Sequence, residues 1–179
     1  MKWSRIRILF LFIFVCILFS LCLFSQTQTD KDQWSKFRFL IGEWISVDSG
    51  QPENGEGSFE FKFDLDENIL VRTNETILPA KSPNAKAIIH KDLLIIYPSE
   101  MNAAMKVIYF DNERHVIQYS VSFPENKTGV VFETENTQKM PRFRLTYEIE
   151  STGLLSIDFS IATPDSPFKT YLKGFAKRK

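Results

Sequence analysis

Few residues in this chain are equipped for chemistry. There are two histidines, and one stands in the tripeptide HKD, residues 90–92. Side chains on a β-strand alternate between faces, so His90 and Asp92 point the same way. That spacing suits two metal ligands, or an acid–base imidazole steadied by a carboxylate. The sequence identifies no third ligand, and His115, at the junction of a turn and a strand, reads as exposed. There is no G-x-S-x-G, no P-loop and no H-E-x-x-H, and both cysteines, Cys16 and Cys22, lie in an N-terminal apolar run. Catalysis, as an isomerase or hydrolase, thus rests on His90 and Asp92 alone and is the secondary reading. No residue pattern names a cofactor.

A binding role has more candidates. Arg72 and Asn74 share one face of the stretch LVRTN. If Leu70 is inward they are polar anchors in an apolar interior, which is how small-molecule sites are built. If Ile69, Val71 and Ile77 are inward instead, Arg72 is solvated. Both faces carry apolar residues, so alternation leaves the two readings open. Arg142 and Arg144 alternate with Phe143, Leu145, Tyr147 and Ile149; they read as an outer face, with inward-facing arginines as the alternative. Tyr97, Tyr109, Tyr119 and Tyr147 offer hydroxyls to a pocket or to a core. The candidate ligand-binding set is Arg72, Asn74, Tyr119, Arg142 and Arg144.

The elements that must position these residues are strands. DKDQWSKFRFL, residues 30–40, has helical spacing of Trp34, Phe37 and Phe39 or Leu40, with Asp30 or Asp32 as N-cap, and ends at Gly42. From Glu43 onward the period is two. Phe59, Phe61, Phe63 and Leu65 face one way; Glu60, Lys62 and Asp64 face the other. The same alternation recurs through Ile117–Tyr119–Val121, Phe143–Leu145–Tyr147 and Leu155–Ile157–Phe159, with turn-forming clusters such as DEN, DNER, PENKTG and TPDSP between. About ten short strands in sequential hairpins predict an up-and-down antiparallel barrel, because closure removes both edges. Eight to ten strands leave room for a small ligand.

The N-terminus reads differently. Lys2, Arg5 and Arg7 precede residues 8–24, which carry no charge, and the polar SQTQTD follows. This is the layout of a signal peptide cut near Ser25. An uncleaved anchor is the alternative, since the run spans roughly 26 Å as a helix against a ~30 Å hydrocarbon core. Either way the remainder is exported, periplasmic or secreted, and meets a membrane only through that segment if it is retained. Without the three leader cations, 19 basic residues face 22 acidic ones, and this balance argues against a nucleic-acid partner.

The stretch FLIGEW, residues 39–44, resembles the F-L-x-G-x-W opening of calycin-type barrels: lipocalins, fatty-acid-binding proteins and nitrobindin-like proteins. The chain also looks like members of a bacterial lipocalin-like family of unknown function, over most of residues 36–179. The resemblance implies a short helix closing one end of the barrel. It also implies that Gly42 admits the first strand and that Trp44 packs across the closed end beneath a basic residue of the last strand, Arg178. Three departures stand out. The R-x-Y pair that holds a carboxylate in fatty-acid-binding proteins has no match, because Tyr147 lies three residues after Arg144, on the opposite face. The last histidine, His115, is too early for nitrobindin-like haem ligation. The disulfides usual in secreted lipocalins are missing beyond the leader.

The expectation is therefore an all-β chain: residues 1–25 a signal peptide or uncleaved anchor, 26–35 a short segment, and 36–179 a single calycin-like barrel of about ten strands. Its expected role is non-catalytic binding of a small hydrophobic or amphipathic molecule. A ligand-free envelope accessory protein is a further alternative.

Overall fold

A computed structural model describes residues 33–47, 56–80, 82, 86–100, 104–136 and 140–179. The expected signal peptide or anchor, both cysteines and the N-cap candidates Asp30 and Asp32 lie outside these residues. The chain divides into two compact units, Met1–Arg38 and Phe39–Lys179. In the first, the Phe37 N–H donates to the Trp34 carbonyl at 2.9 Å and the two rings lie 5.8 Å apart. The short helix is a 3-10 helix, Ser35–Leu40, the tighter geometry usual for pieces this brief.

The second unit is a closed antiparallel barrel of ten strands: β1 (Gly42–Val47), β2 (Glu56–Asp64), β3 (Ile69–Leu78), β4 (Ile88–Pro98), β5 (Met105–Asp111), β6 (Val116–Ser122), β7 (Gly129–Glu133), β8 (Arg142–Ile149), β9 (Leu155–Ala162) and β10 (Lys169–Arg178). Each strand pairs with its sequence neighbours, and β1 closes the ring on β10 with Trp44 opposite Arg178. The alternation predicted from sequence carries through the register. Phe61 stands opposite Arg72, Arg72 opposite Leu94, and Leu94 opposite Tyr109, all on the inner face. Leu65 departs from it. Leu65, Asp66 and Glu67 all take positive φ, so Leu65 belongs to the β2–β3 turn and is 64% exposed.

Inside, aromatic rings meet across the barrel. Trp44 stacks on Phe59 at 6.3 Å, Phe59 meets Phe61 edge-on at 6.0 Å, Phe61 meets Tyr147 edge-on at 5.5 Å, and Phe132 meets Tyr147 at 6.0 Å. Each such pair adds roughly 0.5–1.5 kcal/mol beyond its burial. Around Trp44 the chain is tied by polar contacts. Its indole N–H donates to the Leu40 carbonyl at 2.7 Å. The Arg178 guanidinium lies 4.6 Å from the indole centroid and donates to the Ile41 and Phe39 carbonyls at 2.6 and 2.8 Å. Gly42 takes φ +117°, which L side chains rarely adopt, and a Cβ there would also press on Arg178 Nη1 at 3.1 Å, so the guanidinium would have to shift.

The inner face changes along its length. At the end holding the β2–β3 and β8–β9 turns, Leu70, Ile96, Tyr147 and Leu155 are fully buried. Toward the other end, on the same strands, Asn74, His90, Phe143 and Phe159 are half-buried. Among the described residues the barrel is therefore packed at one end and more open to solvent at the other. Urea unfolding should show Trp44→Ala losing about 3–5 kcal/mol as its cavity opens. Arg178→Met, an exposed cation–π contact, should lose about 1 kcal/mol. A Trp44→Ala loss below about 1 kcal/mol would contradict this packing.

Candidate functional site

Among the described residues Arg72, 6% exposed, is the most buried charged residue. It comes from β3, whose register with β2 places it opposite Phe61 on the inner face. A guanidinium there is far too costly without partners. Two supply hydrogen bonds: Nη2 donates to Asp92 Oδ1 from β4, and Nη1 donates to the Tyr147 hydroxyl from β8. The Phe59 and Tyr147 ring centroids each lie 5.9 Å from its central carbon. The Nε–H is buried and has no acceptor among the described residues. Burial alone would lower the Arg72 pKa; Tyr147 and Asp92 outweigh it, and the group stays charged.

From Asp92 a polar chain runs to the open end. Asn74 Nδ2 donates to Asp92 Oδ2 at 2.8 Å. His90 Nε2 lies 3.3 Å from the same oxygen and 3.3 Å from the Tyr109 hydroxyl, which donates to Asp111 Oδ2 at 3.3 Å. His90 Nδ1 is 3.0 Å from Glu113 Oε1. Asp111 also caps its own turn, accepting the Glu113 and His115 N–H groups at 2.9 Å and His115 Nδ1 at 2.7 Å. Burial pushes the Asp92 carboxyl up, but Arg72 and the hydrogen bonds from His90 and Asn74 hold it below the usual range. The hydrogen bond to Asp92, opposed by burial and helped by Glu113, pushes His90 up to about 9. Burial drives the hydroxyls of Tyr109, Tyr119 and Tyr147 upward, so all three stay protonated.

Chemically this cluster is a hydrogen-bonding surface. With both ring nitrogens facing carboxylates, His90 is held as the imidazolium, which has no lone pair to act as a base at neutral pH. No group of three or more His, Cys, Asp or Glu is placed to hold a metal ion among the described residues.

The candidates from sequence fall in three places. Arg72, Asn74 and Tyr119 are on the inner face; Tyr119 is 3% exposed, with its ring 6.5 Å from Phe132. Arg142 and Arg144 are not brought to them. They lie on the outer face, opposite Ala162 and Ser160, where Arg144 pairs with Glu133 at 2.8 Å and both guanidiniums cover Phe168, at 4.7 and 3.8 Å. Gly42, Trp44 and Arg178 stand apart around the packed end. Asp111 and Glu113 were not legible as site residues, because DNER reads only as a turn. The Arg72–Asp92 pair needs the β3–β4 register, which aligns Asn74 with Asp92 and which the sequence does not give.

Opposite the polar chain is an apolar wall. In the ten-strand ring β9 lies five strands from β4 in either direction. On β8 and β9 the half-buried Phe143 and Phe159 stack at 6.0 Å. A bulge in β10 between Thr170 and Leu172 lets Tyr171 meet Phe159 edge-on at 6.2 Å while remaining 74% exposed. Two hollows of about 430 and 440 Å³ lie along the strands: one is lined by Tyr97, Lys106, Gln118 and Tyr119, the other by Glu43, Glu60 and Thr73 together with Asn74 and Asp92 of the polar chain.

The titrations fix a pH window. Raised above its unfolded value of ~6.5, His90 contributes stability below that pH and loses it as pH rises. The loss should be complete above the folded value of about 9. Asp92, lowered, contributes above ~3.9 and loses its contribution as pH falls through its folded value. Stability should thus be flat from about pH 4 to 6.5, and His90→Gln should remove the alkaline decline. An NMR titration placing the His90 pKa near 6.5 would contradict the cluster geometry.

No known protein-family profile matches this chain, and no curated protein sequence matches it at a significant level.

Proposed function

We propose that this chain is an exported calycin-type barrel that binds a small amphipathic molecule across its open end, without catalysis. The ligand lies between two walls: Asn74, His90 and Tyr109 on β3–β5, and Phe143, Phe159 and Tyr171 on β8–β10. The observation that carries this reading is Arg72. A buried guanidinium with an unmatched Nε–H costs about 1–3 kcal/mol for the bare donor, in a barrel where an apolar residue would pack without that cost. Such placement serves recognition better than stability. The half-buried aromatic wall facing it supports an amphipathic partner, since a solely apolar ligand would leave the polar chain desolvated. The FLIGEW opening, with the Arg178 guanidinium over Trp44, supports the calycin relationship. The charged leader and apolar run support export.

Native mass spectrometry of protein from its own host should find a bound small molecule. In a thermal-shift panel of single-chain and ring amphiphiles, a ligand at a hundred times its Kd adds about 2.7 kcal/mol, which is roughly 5–10 °C for a domain of this size. Tyr171→Ala, at an exposed position, should weaken binding several-fold without lowering the ligand-free Tm. A homogeneous ligand-free barrel with no shift across the panel would sink the proposal.

A further inference from the structure

We infer that the open end selects an uncharged head group, one that accepts a hydrogen bond, and discriminates against carboxylates. This rests on the binding role proposed above and names the ligand class it takes. Among the described residues, the charged groups of the cluster are Arg72, His90 and His115 against Asp92, Asp111 and Glu113. Each cation already has its anion: Arg72 on Asp92, His90 between Asp92 and Glu113 at 3.3 and 3.0 Å, and His115 on Asp111 at 2.7 Å. Even with both histidines protonated, the three positive charges do no more than balance the three negative ones. Lys169 stands at the rim, in register with Ile161, but it is exposed and solvent screens it. Arg178 is at the packed end.

Among the described residues of the cluster an incoming carboxylate would therefore find no buried cation without its anion and would meet three anions. Arg114, in the same turn as Glu113 and His115, is exposed and screened like Lys169. The carboxylate would have to give up its hydration for a field that sums to zero or below. A hydroxyl or carbonyl gives up much less. What the cluster leaves without an acceptor is a donor, the Arg72 Nε–H; it is buried, in a side chain 8% exposed, so a head group must enter the barrel to reach it. Asn74, half-buried, stands beside it on the same strand face. The apolar wall of Phe143, Phe159 and Tyr171 takes the remainder of the molecule. This is opposite in sense to a fatty-acid site, where a surplus arginine waits for the carboxylate.

Four probes of equal chain length separate the alternatives: 1-decanol, methyl decanoate, decanoate and decylamine, titrated calorimetrically into the full-length chain at pH 7 below their aggregation limits. The alcohol and ester should bind at least tenfold more tightly than decanoate and than decylamine. Asp92→Asn removes one anion and frees the Arg72 charge, so decanoate should gain at least tenfold. Should that variant fail to fold, Glu113→Gln, at a side chain 52% exposed, should still raise decanoate affinity several-fold. Decanoate or decylamine binding tightest to the unaltered chain would overturn the neutral-head inference and leave the binding role standing. Binding of none of the four would overturn this inference, while the binding role would still be decided by the wider panel of single-chain and ring amphiphiles.

Discussion

The Arg72–Asp92 pair constrains everything else inside this barrel. A guanidinium buried among Phe59, Phe61 and Tyr147 is stable only if β3 and β4 hold their register, because Asp92 must stand two pairs along from Leu94, the residue opposite Arg72, and so on the same face. A slip of one residue between the two strands would put Arg72 and Asp92 on opposite faces of the sheet. The pair also reaches across the ring, since Tyr147 comes from β8, 75 residues later. A local hairpin register is thereby coupled to closure of the whole sheet. Removing either charge leaves the other desolvated, at a cost of about 3–5 kcal/mol.

The same pair divides the interior. On one side of it the core is aromatic and closed, ending in Trp44 and Arg178. On the other the inner face becomes half-buried and splits into a polar wall centred on β4 and an apolar wall centred on β9. That split follows from sequence. β3–β5 place Asn74, Asp92, His90, Tyr109 and Asp111 at inward positions, where β8 and β9 place Phe143, Ile157, Phe159 and Ile161. The bulge in β10 adds Tyr171 to the apolar side. A molecule lying across such a mouth satisfies both walls only if it is itself two-sided.

Much of the fold was legible in the sequence, because period-two alternation and turn chemistry are local signals. The strict alternation from Phe143 to Ile149 left little freedom for β8, and Leu155, Ile157, Phe159 and Ile161 fixed the inward face of β9. The site was legible only in pieces. Arg72 with Asn74, and His90 with Asp92, stood out as separate same-face pairs, yet the loop from Pro79 to Ala87 hid their register. Arg72 itself was ambiguous because Ile69 and Val71 are as apolar as Leu70. Packing decides this, through the partners that Arg72 finds on β4 and β8. The R-x-Y pattern failed for a related reason. Tyr147 meets an arginine from a distant strand, and no spacing along the chain reports that.

A double-mutant cycle tests most directly whether Arg72 and Asp92 act as the hub. Arg72→Met, Asp92→Leu and their combination are unfolded in urea at pH 6, within the flat region of the stability profile. Each single variant should lose about 3–5 kcal/mol, and the double variant should lose far less than the sum, with a coupling above about 2 kcal/mol, because two apolar groups replace a mutually dependent pair. Additive losses, with coupling within about 0.5 kcal/mol of zero, would mean that the two charges do not depend on each other and would contradict the account.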